Sequence, residues 1–130
     1  MANNKLYCSS MINGVIQLLF LNYYNVPIYF HLLIILGILT SILNHKFSNK
    51  YLKYLDRITM TFGVISHTMD IYNIFNEYDL YFNLYLSVIF YFLAKVESDK
   101  RESNICHIFS HIFLTIVHYK MSFKYHYNIF

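Results

Sequence analysis

The sequence predicts an all-α fold: a multi-pass transmembrane helix bundle of about five spans, with its N-terminus on the cytoplasmic side. Three observations carry that reading. Of the 130 residues, 57% are hydrophobic and only 13% charged, more apolar surface than so small a soluble domain can hide in its core. With three glycines and one proline the chain is poor in turn formers, so its apolar runs reach helix length. Lysine and arginine, finally, collect in alternate links between those runs.

A helix needs about 20 mainly apolar residues to cross the hydrocarbon core. Five stretches approach that length. The first, 6–24, is the weakest, because Asn13, Gln17 and Asn22 interrupt it. The corner Asn25-Val26-Pro27 separates it from a strong second span at 28–44. The third runs over 54–75, the fourth over 80–96 and the fifth over 104–123. No internal repeat or low-complexity linker divides the chain, so 1–130 is read as a single transmembrane helical domain.

Orientation follows from the bias of basic residues toward the cytoplasm. Lys46, Lys50 and Lys53 lie between spans two and three, with Arg57 just inside, and Lys95, Lys100 and Arg101 lie between spans four and five. The link between spans three and four holds Glu77 and Asp79 and no base. The second and fourth links are therefore expected inside, the N-terminus inside and the C-terminus outside. Lys120 and Lys124 near the C-terminus oppose this assignment. The formal net charge of +3 is small and interleaved with acids, which argues against nucleic acid as a partner. The two cysteines, Cys8 and Cys106, form no CxxC pattern, and a reduced environment is expected. Residues 1–10 contain one lysine and no long apolar core ending in small residues, so no cleaved signal peptide is read there.

Under this topology Ser41 and His45 fall at the cytoplasmic end of span two, Asp56 at the cytoplasmic start of span three, and His107 and His111 at the cytoplasmic start of span five. Orientation was assigned without them. Histidines four residues apart project from one helix face, so His107 and His111 can join His45 in supplying three nitrogens to one zinc ion.

In order, Ser41-Ile-Leu-Asn-His45, an Asp at the start of the next helix and His107-Ile-Phe-Ser-His111 on the last resemble a superfamily of intramembrane hydrolases and receptors. It includes alkaline ceramidases, adiponectin-type receptors and hemolysin III proteins. His45 and Asp56 stand eleven positions apart, which is most similar to the ceramidase branch, while Leu55-Asp56-Arg57 resembles the hemolysin Leu-Asp-His step. The resemblance covers 37–63 and 104–119, about a third of the chain. That superfamily has seven spans; here the two helices between the Asp span and the His-x-x-x-His span are missing.

The resemblance implies a ceramidase-like intramembrane zinc hydrolase acting on a membrane lipid, a long-chain lipid amide that enters from the bilayer. His45, His107 and His111 would bind zinc and leave a fourth position for water. Asp56 would accept that water's proton or orient the water, and Ser41, one turn before His45, would hydrogen-bond near the water or the developing oxyanion. Other readings stay open. Asp56-Arg57 also suits an interfacial ion pair or a helix-start charge, and the histidines also suit headgroup contacts. The protein is then a non-enzymatic membrane protein: a receptor-like relic, a scaffold or a pore. His31, His67 and His118 all lie toward the outer leaflet, where a bis-histidine haem anchor would need them. His67 and Asp70, one turn apart, are expected to pair in helix packing, and His118 to pack or to line a cavity.

Overall fold

Described over residues 3–47 and 49–128, the structure is a computed structural model in which every regular element is helical. In chain order these are α1 (Asn4–Tyr23), α2 (Ile28–Lys46), α3 (Lys50–Asp70), α4 (Tyr78–Val96) and α5 (Lys100–Tyr127). α3 runs on into a π-helical turn, Ile71–Phe75, that ends at Asn76 in the left-handed region (φ 48°). Each of the five expected spans is thus a helix.

The starts of α1, α3 and α5 are set by side-chain caps. Asn3 accepts a hydrogen bond from the Leu6 N–H, Asn49 from Tyr51 and Leu52, and Asp99 from Arg101 and Glu102. Asn49 and Asp99 lie in the polar links, so α3 and α5 each start four residues before the expected spans at 54 and 104. An apolar window finds the greasy segment, whereas the cap decides where the helix begins.

The helices run alternately up and down. At one end the Asn3 N–H donates to the His45 carbonyl (3.1 Å) and its side chain to Asn104 (3.0 Å), which joins the start of α1 to the end of α2 and the start of α5. At the other end the Asn25 N–H donates to Nδ1 of His126 (2.9 Å). There, too, Lys120 pairs with Asp79 and Lys124 with Glu77. The two lysines that oppose the orientation are therefore matched by the acids of the third link. No ion pair among the described residues involves the bases at the first end.

Packing follows the order α3–α2–α1–α5–α4, so that the consecutive helices α3 and α4 lean on α2 and α5 and barely touch each other. Apolar side chains such as Phe30, Ile34, Leu84 and Met121 fill the interior toward the second end. Nearer the first end, beside Leu6 and Ala94, polar side chains are buried: His45, Ser87, Asn104, His107 and Ser110. The outside is the reverse, with Leu19, Leu32, Ile58, Phe62, Phe82 and Phe92 exposed. Two helices, α2 and α4, are long and apolar enough by themselves to cross a membrane, and only 22% and 28% of their apolar windows is buried.

Candidate metal centre

The last turn of α2 and the first turns of α5 meet at the first end of the bundle. His45, His107 and His111 converge there, one nitrogen from each lying within 4.8 Å of the others. Ring centroids are 4.9 Å apart for His45 and His107, 5.7 Å for His45 and His111, and 4.8 Å for His107 and His111. His45 and His107 are buried and His111 is partly so. Nε2 of His45 is buried with no hydrogen-bond partner. A buried nitrogen without a partner is costly unless something else occupies its lone pair. Three imidazoles at this spacing are a donor set that can hold a metal ion.

α1 supplies outer partners. The Ser9 hydroxyl lies 3.0 Å from Nδ1 of His111, and the Ser10 hydroxyl 2.9 Å from that of Ser41. If Nδ1 of His111 carries the proton and donates it to Ser9, Nε2 is left with its lone pair free for a metal.

Asp56 stands on the second turn of α3. Its carboxylate accepts from the Asn44 side chain at 2.9 Å, and the Thr40 hydroxyl, whose one hydrogen also faces the Gly37 carbonyl at 3.2 Å, lies 3.5 Å away; both are on α2. It is in no ion pair with Arg57 among the described residues. The carboxylate is tied back to the helix that carries Ser41 and His45. Ser41, Asp56, His107 and His111 all line one cavity of about 280 Å³, which runs on to His67 and His118. Its lining includes Thr61 and Ile65 of α3 and Phe92 of α4, all exposed, so the cavity opens sideways between α3 and α4. His45 and His107 also border a second cavity of about 320 Å³ at the basic end, lined by Lys53, Arg57, Lys95 and Lys100.

All five residues singled out from the sequence therefore gather at one end of the bundle. Four supporting residues had no sequence signal as site members: Ser9, Ser10, Thr40 and Asn44. Their roles depend on which helices become neighbours. His67 pairs differently from the expectation: its Nε2 lies 2.9 Å from Nε2 of His118, while Asp70 accepts from Tyr29 at 3.1 Å.

Comparisons of the chain with protein-family models, characterised proteins and solved structures return no match.

Proposed function

We propose that this chain is an intramembrane zinc-dependent hydrolase that cleaves the amide bond of a long-chain lipid, with all five helices crossing the bilayer and the basic links in the cytoplasm. The observation that carries the reading is the cluster of His45, His107 and His111, two of which, His107 and His111, share one cavity with the Asp56 carboxylate and the Ser41 hydroxyl. The polar groups buried at the first end and the apolar exterior support the bilayer, where exposed Leu, Ile and Phe side chains meet lipid at no cost. So does the sideways opening between α3 and α4, since a lipid substrate reaches it without leaving the membrane.

His45, His107 and His111 would hold the zinc ion, which would supply a Lewis acid to polarise the amide carbonyl and lower the pKa of water. The chain's own groups do the rest. Asn44 uses one of the acceptor positions on the Asp56 carboxylate and leaves others free. Asp56 takes a proton from the attacking water and passes it to the amine as the C–N bond breaks, giving a fatty acid and a free amine. Ser41, oriented by Ser10, donates to the oxygen that gains charge on the acyl carbon. Ser9 holds His111 in the tautomer that leaves Nε2 free.

The test is fatty-acid release by the purified protein from ceramides and related long-chain amides. Release is expected from the wild type and not from His107→Ala. Stoichiometric zinc with no release from any amide would instead support a structural or receptor-like role.

A further inference from the structure

The second cavity, at the basic end, adjoins the first at the histidine cluster: His107 and Tyr91 line both. Lys53 and Arg57 of α3, Lys95 of α4 and Lys100 of α5 line the second cavity, and among the described residues no carboxylate does. Their charges converge. The Lys95 ammonium stands 4.8 Å from the centre of the Tyr91 ring, and Lys53 and Arg57 are near enough to repel it. Asp56 attracts Lys95, but its carboxylate accepts from Asn44 at 2.9 Å and forms no ion pair among the described residues. At the other end of the bundle Lys120 and Lys124 are matched by Asp79 and Glu77. Here the chain supplies no such match, and like charges around one cavity repel until an anion joins them.

A neutral donor lies beside the bases. The Asn3 oxygen accepts from the Leu6 N–H at 3.1 Å, so the Asn3 amide nitrogen is the atom that faces Asn104, at 3.0 Å. That contact takes the Asn104 oxygen and leaves its amide nitrogen, in the lining of the basic cavity, to donate. Lysines as point charges, the fork of an arginine and an amide N–H suit a phosphate group. A phosphate monoester brings close to two negative charges near neutral pH, where a carboxylate brings one.

Arg57 and Lys95 stand on α3 and α4, the helices between which the first cavity opens. Beyond the histidines that cavity is apolar, with Leu33, Ile34 and Ile38 of α2 and Leu114 of α5. An acyl chain there, with its carbonyl at the histidine cluster, leaves the amine side of the bond for the basic cavity. We infer that the basic cavity binds a phosphate monoester, and that the lipid amide cleaved at the histidine cluster carries this group on its amine side. The inference rests on the lipid-hydrolase reading and names its substrate class. Water adds a hydroxyl to the acyl carbon and a hydrogen to the nitrogen, giving a fatty acid and an amine that keeps its phosphate ester.

Dodecyl phosphate, dodecanol and inorganic phosphate, titrated into the full chain in non-ionic detergent, test this. None has an amide bond, so binding does not depend on turnover. The wild type should bind dodecyl phosphate about tenfold or more tightly than either other probe, the scale of a charge-assisted hydrogen bond. An Arg57→Gln, Lys95→Gln double variant should lose the preference for dodecyl phosphate over dodecanol. A Lys46→Gln, Arg101→Gln double variant, which removes two exposed charges from the same end but outside the cavity, should keep it. Equal loss in both would mean a general attraction of the basic end for anions and would overturn the inference. So would equal binding of dodecyl phosphate and dodecanol by the wild type, or a preference that survives Arg57→Gln, Lys95→Gln, as phosphate held by a metal alone would show. Inorganic phosphate bound as tightly as dodecyl phosphate would assign the cavity to the free ion and overturn the substrate class. Should the first double variant not fold, the guanidinium ¹⁵N resonances of the wild type decide. Of the two arginines, Arg57 and Arg101, only Arg57 should move with dodecyl phosphate and neither with dodecanol; an unmoved Arg57 overturns the assignment. Dodecyl phosphate held by a protein that hydrolyses no amide would refute the hydrolase reading alone, and hydrolysis without such binding would refute this inference alone.

Discussion

The hydroxyl of Ser9 on α1 lies 3.0 Å from Nδ1 of His111 on α5, across a separation of 102 residues. It ties the first of the apolar stretches to the candidate metal centre. An outer partner that orients a metal-bound histidine contributes about tenfold to a hundredfold in affinity. Ser9→Ala should therefore weaken zinc binding by about tenfold or more, with helical content unchanged. Competition with a zinc chelator measures it. Unaltered affinity would show that Ser9 has no part in holding the ligand.

Topology can be checked by labelling in a background where Cys8 and Cys106 are serine. Cysteines at Lys46 and Ser98, both exposed at the basic end, should react only from the cytoplasm. One at Tyr78, 91% exposed at the opposite end, should react only from the other side. Reaction of positions 46 and 98 from opposite faces would break the shared-site argument.

At Gly14 α1 comes close to α2: a Cβ there would sit 2.9 Å from the Ile38 γ2 methyl. Gly14→Ala should destabilise the protein by about 1–3 kcal/mol, the usual cost of overpacking. Gly37, where a Cβ meets nothing within 4 Å, is the control. Gly37→Ala should stabilise by up to about 1 kcal/mol through helix propensity alone. Thermal unfolding in detergent reads both. A neutral Gly14→Ala would mean that the α1–α2 contact is looser than this geometry.

Asp56→Asn keeps the shape of the side chain and removes the proton acceptor. Zinc content should stay the same while amide hydrolysis falls by a factor of about 10² or more, the usual scale for a positioned acid or base. Ser41→Ala should cost less, because it removes one orienting hydrogen bond. Full activity in Asp56→Asn would leave the hydrolase standing and take this residue out of the mechanism.

How much of this was legible in the sequence depends on how local each feature is. His107 and His111 share a face by helix geometry alone, and the charge pattern of the links carried His45 and Asp56 to the same end. The pairing of His67 was misread as local: Asp70 is one turn away in sequence, but the ring meets His118, 51 residues on. Helix neighbours choose such partners, and no spacing rule reports them. Asn13 and Gln17 likewise looked like interruptions of a weak span. In the structure they join α1 to α5 through Thr115 and His118. Asp56 beside Arg57 suggested an ion pair, yet Asn44 holds the carboxylate, because α2 packs on α3 where Asp56 emerges.

The central claim is that His45, His107 and His111 together hold one zinc ion. Metal analysis of the purified protein tests it most directly. The wild type should carry zinc in a one-to-one ratio, His45→Ala, His107→Ala and His111→Ala should each lose most of it, and His67→Ala should keep it. Stoichiometric zinc retained by a His107→Ala, His111→Ala double variant would contradict the account.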